Sequence, residues 1–213
     1  MPRQKLKRYA ELPHFANVLM RPYDLKGKWL ANYFRNAQPI TLELACGKGE
    51  YTVALARRFP QRNFIGIDAK GDRLWKGAKA ALQERLSNAA FLRGLIEELP
   101  EFFAPQEAQE IWIPFPEPHP KRAKMQRRLT SPHFLHCYRQ FLQPGGRIHF
   151  KTDDDSLFEF TVKTLRAENC TIHELYEDLH GAVMEDDLRA LKTAYERRYL
   201  AAGKAIKYVC FGL

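Results

Sequence analysis

The chain has 213 residues, 45% of them hydrophobic, enough for a sizeable core in a protein of ordinary globular size. Lys and Arg total 34 against 25 Asp and Glu, a formal charge of +9, which favours a polyanionic partner, and no apolar run approaches the roughly 18 residues that a membrane span needs. Cys46, Cys137, Cys170 and Cys210 are far apart and form no C-x-x-C pair, which argues against a zinc site and a disulfide framework; with no apolar signal segment, the expectation is a reduced, cytoplasmic protein.

Residues 2–22 are rich in Lys and Arg and broken by Pro2, Pro13 and Pro22, a pattern that predicts a mobile basic arm. A short helix is expected around Lys26–Phe34. Pro39–Ala45 reads as a buried strand, Glu50–Phe59 as a helix ended by Pro60, Asn63–Ile67 as a second strand and Asp72–Leu86 as a long helix. Ala90–Arg93 and Glu110–Ile113 are short strands. Ser131–Leu142 predicts a helix stopped by Pro144-Gly145-Gly146, and Arg147–Lys151 a strand. Ser156–Glu168 is a helix, while Thr171–Tyr176 and Ala205–Phe211 are the last strands. Strands alternating with helices imply an α/β fold, a parallel sheet covered on both faces, with residues 23–213 as one domain. Ligands of such sheets bind beyond the carboxyl ends of the strands, so the loops after each strand carry the functional reading.

The loop after the Pro39–Ala45 strand reads Glu43-Leu44-Ala45-Cys46-Gly47-Lys48-Gly49. Gly47 and Gly49 allow a tight turn and close approach to a ligand. The dinucleotide fingerprint is not completed, because Thr52 stands where its third glycine belongs. Glu43 would repel a pyrophosphate but attract the ammonium and sulfonium of S-adenosylmethionine. Asp68, ending the next strand, can accept hydrogen bonds from both ribose hydroxyls of an adenosine.

After the Glu110–Ile113 strand comes Pro114-Phe115-Pro116-Glu117-Pro118-His119-Pro120, with four prolines in seven residues. They fix an extended course and hold Glu117 at low entropic cost. Five of the next eight residues, Lys121, Arg122, Lys124, Arg127 and Arg128, are cations. Arg127 and Arg128 are expected to grip the phosphates of a polyanionic partner, contacts that depend on salt and little on sequence.

With both loops in view, the chain from about Tyr23 onward resembles the bacterial tRNA (guanine-46-N7)-methyltransferase family. The motifs that carry this are Tyr23–Trp29, the Glu43–Gly49 loop, Phe64–Asp68, Phe115–Lys121 with Arg127–Thr130, Gly145–Asp153, Leu157–Glu159 and Thr193-Ala194-Tyr195-Glu196. The resemblance implies a Rossmann-like class I methyltransferase sheet whose last strand is antiparallel. It implies S-adenosyl-L-methionine as cofactor, tRNA as partner, and neither metal nor membrane. It also implies that Glu43, Gly47, Gly49 and Asp68 meet the cofactor and that Glu117 is the catalytic acid, which also meets the cofactor. Lys121, Asp153, Thr193 and Glu196 would meet the tRNA. Three positions depart from the family pattern: Ala45 replaces a glycine, Glu117-Pro118-His119 replaces Asp-Pro-Trp, and Leu95, with Glu97 and Glu98 nearby, replaces an acid. The rivals are a class I methyltransferase acting on another RNA base and a non-catalytic RNA-binding relative. His133 and His136 lack a third ligand of suitable spacing, and His149, Trp29, Trp75 and Trp112 read as structural.

Overall fold

The central strands form where short, mostly apolar runs allow burial on both faces. The computed structural model describes residues 2–182, 189 and 191–213. Among them the strands are β1 (Val18–Met20), β2 (Ile40–Leu44), β3 (Asn63–Ile67), β4 (Ala89–Arg93), β5 (Ala108–Pro114), β6 (Leu142–Thr152), β7 (Thr171–Tyr176) and β8 (Lys207–Gly212). Their order is β1-β4-β3-β2-β5-β6-β8-β7. β1 through β4 pair in parallel, whereas β8 runs antiparallel to both β6 and β7. This is the mostly parallel sheet with an antiparallel last strand that the family resemblance implies. The helices are α1 (Pro2–Glu11), α2 (Glu50–Arg58), α3 (Gly71–Gln83), α4 (Leu99–Phe102), α5 (Pro132–Arg139), α6 (Asp155–Ala167), α7 (Leu179–Ala182) and α8 (Ala194–Ala201).

The described residues group into two compact units, Met1–Ile111 with Gln140–Pro144, and Trp112–Arg139 with Gly145–Leu213. In the first unit every residue of β2 and β3 is buried, the pattern of central parallel strands. The first 22 residues, expected as a loose arm, carry a helix and a strand. Leu12 is buried and β1 adds to the edge of β4. The short helix expected at Lys26–Phe34 is instead a 3-10 turn at Tyr23–Leu25 followed by a π-helical turn at Trp29–Phe34, whose indole N–H donates to the Phe102 carbonyl at 2.8 Å.

α5 of the second unit ends at Arg139, and β6, which starts at Leu142, begins five residues before the expected strand. Pro144 and Gly145 fall on its exposed first turn, where a missing ladder N–H costs little. Asp154 caps α6 by accepting from the Leu157 N–H at 2.7 Å. Trp112 stacks on His149 with ring centroids 4.1 Å apart, and the His149 Nδ1 meets the Tyr208 hydroxyl at 2.7 Å. Both residues are core, as the sequence suggests.

Candidate functional site

The singled-out residues fall into two groups, one in each unit. In the first unit the in-register pairing of β2, β3 and β4 brings their carboxyl ends level, Leu44 opposite Ile67 and Ile67 opposite Leu92. The chain leaves β2 through Ala45, Gly47 and Gly49, at φ 53°, 57° and 66°. Ala45 holds this left-handed conformation despite its methyl group, a strain of about 1 kcal/mol. Gly49 must be glycine for a further reason, since an added Cβ would lie 2.4 Å from the Phe91 ring. Gly47 differs. Its added Cβ would meet nothing closer than the Ala45 carbonyl at 4.0 Å, so that side of the loop is open to a ligand.

Asp68 closes this loop. One carboxylate oxygen accepts from the Gly47 N–H at 2.9 Å and the other from the Lys70 N–H at 2.7 Å. Glu43 lies inside β2, only 5% exposed. Its Oε2 accepts from the Thr52 N–H at 2.7 Å and from the Thr52 hydroxyl. Thr52 is therefore the anchor of this acid and not an empty glycine position. Burial pushes the Glu43 carboxyl up to about 8; the two Thr52 bonds oppose this, and the charges of Asp68 and Glu50 add to it.

A raised carboxyl makes a pH prediction. The fold favours protonated Glu43, so its stabilising contribution is complete below the ordinary carboxylate range and is lost as pH rises towards 8. Between pH 6 and 8 the wild type should lose roughly 2 to 3 kcal/mol relative to Glu43→Gln, at 1.36 kcal/mol per pH unit. Urea melts of both proteins at the two pH values check this, and parallel pH profiles would refute it.

Beyond the ends of β1, β3 and β4 lies a cleft of about 360 Å³, lined by Met20, Arg21, Ala69, Arg93, Leu95 and Glu98. Leu95, where the family pattern has an acid, is 51% exposed. Glu98 reaches back to accept from the Leu95 N–H at 3.3 Å and lies 3.5 Å from Arg21. A carboxylate thus borders this cleft, supplied three residues later than the pattern would have it.

In the second unit β5 ends at Pro114, and Phe115 turns the chain at φ 53° while its N–H donates to the Lys151 carbonyl at 2.9 Å. Glu117 follows with its side chain 75% exposed, its carboxylate 3.8 Å from the His119 Nδ1. Lys121, Arg122, Lys124 and Arg127 are all exposed. Arg128 is not. It is 2% exposed, lies over the Phe160 ring at 4.5 Å, and donates from Nε to the Pro118 carbonyl at 2.9 Å and from Nη2 to the His119 carbonyl at 3.5 Å. The charge run reads as five solvent-facing cations; the fold turns the fifth inward to clamp the proline-rich loop.

This divides two neighbouring arginines by role. Arg127→Ala should weaken tRNA binding several-fold with an unchanged melting temperature. Arg128→Ala removes a buried group from two carbonyls and should destabilise the protein by roughly 2 to 4 kcal/mol. Paired melting and filter-binding measurements check this; identical behaviour of the two variants would contradict it.

The remaining candidates also lie in the second unit. The Asp153 carboxylate pairs with the Lys204 ammonium at 2.6 Å. The Thr193 hydroxyl caps α8, accepting from the Glu196 N–H at 3.2 Å. Glu196 is fully buried, its Oε1 2.9 Å from the Lys151 Nζ and 2.8 Å from the His180 Nε2. The fold thus presents Lys121 and Arg127 to solvent, holds Asp153 in an ion pair, and encloses Glu196.

The family described as a putative methyltransferase matches residues 37–209. A tRNA (guanine-N(7)-)-methyltransferase from Porphyromonas gingivalis (strain ATCC BAA-308 / W83) is 48% identical over 90% of this chain and 78% of its own. Another, from Christiangramia forsetii (strain DSM 17595 / CGMCC 1.15422 / KT0803), is 42% identical over 98% of this chain and 97% of its own. The chain belongs to the tRNA (guanine-N(7)-)-methyltransferase family. Its fold is shared more widely: the crystal structure of the 16S rRNA methyltransferase KamB superimposes with a TM-score of 0.65 at 17% identity, covering 86% of this chain and 92% of that one.

Sequence reasoning missed four residues of this methyltransferase: Thr52, Lys151, His180 and Lys204. Thr52 was visible only as a break in the glycine pattern. Lys151 stands two residues before Asp153, but a buried lysine has no periodic signature. His180 and Lys204 act through partners 16 and 51 residues away.

Proposed function

We propose that this enzyme transfers a methyl group from S-adenosyl-L-methionine to N7 of guanine 46 in tRNA. The observation that carries this reading is the exposed carboxylate of Glu117 on a proline-stiffened, Arg128-clamped loop that runs directly into four exposed cations. The named activity of the relatives supports it. The first unit fits the cofactor by its donor set: the open side of Gly47, the two acids Glu43 and Asp68, and a cleft bordered by Glu98.

When bound, the cofactor supplies a methyl group on a cationic sulfur. Asp68 offers acceptors to its hydroxyls, its positive charge would favour the ionised form of Glu43 that burial alone disfavours, and Glu98 offers an acceptor in the acidic role that Leu95 leaves open. Guanine N7 bears an in-plane lone pair and no proton, so no residue need act as a general base. The chain's contribution is alignment, the entropic part of catalysis. Glu117 accepts from the N1–H and N2–H donors of guanine, which adenine lacks, and its charge favours the positive purine that forms. Lys121 and Arg127 meet phosphates, whereas Asp153 suits base edges or 2′-hydroxyls better than phosphate. Thr193 and Glu196 belong to the same substrate side. Thr193 caps α8, and Glu196 fixes that helix from within, leaving Tyr195 exposed.

The test is incubation with methyl-labelled cofactor and unmodified tRNA, followed by mapping of the labelled nucleotide. Label at N7 of guanine 46, lost when that base is changed to adenine, is expected. Label at another base or atom would refute the assignment.

A further inference from the structure

The first unit carries a second group of cations that the proposed chemistry does not use. On α3, Arg73, Lys76 and Lys79 recur every three residues and all are exposed. Residues three apart rise about 4.5 Å along a helix, so these three form one ridge. Lys5, Lys7 and Arg8 stand on α1, which lies against α3.

The seat of α1 is built by specific contacts. Gly71 leaves room for it, since an added Cβ would lie 2.8 Å from Leu12 and 3.1 Å from Tyr9. The Trp75 ring has the Arg8 guanidinium at 5.2 Å and the Lys79 ammonium at 4.6 Å, and its N–H donates to Glu11 at 2.8 Å. One aromatic ring therefore holds cations from both helices near each other. Tyr9 lies under the Arg93 guanidinium at 5.2 Å, and Arg93 lines the cofactor cleft, so this seat is continuous with the cofactor half of the enzyme.

Lys5, Arg73 and Lys76 have no ion-pair partner among the described residues, and Lys7 reaches only Glu11, at 3.8 Å. Glu11 offsets only part of this charge, and a phosphate backbone would relieve the remaining self-repulsion while releasing its own counterions. We infer that α1 and α3 together form a second phosphate-binding ridge for the tRNA substrate, separate in sequence from the Lys121–Arg127 run. This rests on the tRNA reading above.

The test replaces Lys5, Lys7, Arg73 and Lys76 with alanine together, exposed helical positions where alanine is well tolerated. Unmodified tRNA is titrated by filter binding between 50 and 200 mM salt, and S-adenosylhomocysteine by calorimetry. A second variant carries alanine at Lys121, Arg122, Lys124 and Arg127. The ridge variant should bind tRNA at least about tenfold more weakly, with a log K against log salt slope shallower by roughly 2 to 4. Its S-adenosylhomocysteine affinity should be unchanged. Wild-type tRNA affinity and salt slope in the ridge variant, with weakened binding in the loop variant, would overturn the ridge and leave the tRNA reading standing. Wild-type binding by both would overturn the tRNA reading itself. A parallel loss of S-adenosylhomocysteine affinity in the ridge variant would show that these residues support the fold, and would also overturn the ridge.

Discussion

Glu117→Gln should lower kcat for guanine-N7 methylation by about 10- to 100-fold and leave cofactor affinity within about twofold. Glutamine keeps the length and one acceptor but turns an NH2 group towards one of the two guanine donors and removes the charge. A hydrogen bond to a charged group contributes about 1.5 to 3 kcal/mol, which converts to that range of rates. The fold should not respond, because the Glu117 side chain is 75% exposed and, among the described residues, its carboxylate meets only the His119 Nδ1, at 3.8 Å. A thermal melt within about a degree of wild type is the control. Glu117→Asp, the family's usual residue, should retain most of the activity. Single-turnover rates on unmodified tRNA decide the matter, and an unchanged kcat with unchanged guanine preference in Glu117→Gln would remove this residue from the mechanism.

The largest effect on stability is expected at Lys151. Lys151→Met should destabilise the protein by roughly 3 to 5 kcal/mol, the range for removing one member of a buried ion pair. Both side chains of the Lys151–Glu196 pair are fully buried, and the lysine also donates to the Leu191 carbonyl at 3.2 Å. Glu196 Oε2 has no hydrogen-bond partner among the described residues, so the carboxylate depends on what meets its other oxygen. Replacing Glu196 with leucine in the same protein should recover much of the loss, because no orphaned charge then remains. Urea denaturation of the two single variants and the double variant measures the coupling. Additive losses would show that the pair is not coupled.

The central strands and their helices were legible because local pattern and tertiary role agree. β2 and β3 are mostly apolar and buried along their length, and Pro60 stops α2 where a helix stop was expected. The first 22 residues were not legible, since three prolines and many cations describe a loose arm. What folds them is Leu12 in the core and Arg8 on Trp75, contacts to residues distant in sequence. Pro144-Gly145-Gly146 misled for the opposite reason: strong turn signals fell inside the first half of β6, where Pro144 and Gly145 are exposed. In the site, Glu43, Asp68 and Glu117 could be found as acids just inside or beyond strand ends. Arg127 and Arg128 could not be told apart, because only Phe160 and two loop carbonyls distinguish them. The burial of Glu196 was hidden likewise, since its partners come from β6 and α7.

The close approach of α3 to the glycine loop also limits how this enzyme can be engineered. Gly77 sits in mid-helix, where alanine ordinarily gains about 0.5 to 1 kcal/mol and where a propensity-based thermostabilisation scheme would begin. An added methyl group there would meet the Lys48 carbonyl at 2.6 Å, the Phe91 ring at 2.8 Å and the Gly49 Cα at 3.0 Å. Two of these three neighbours are backbone and cannot swing aside. A substitution chosen to stiffen this helix would instead be transmitted to the glycine loop packed against it, so a variant library for this enzyme should hold residue 77 fixed.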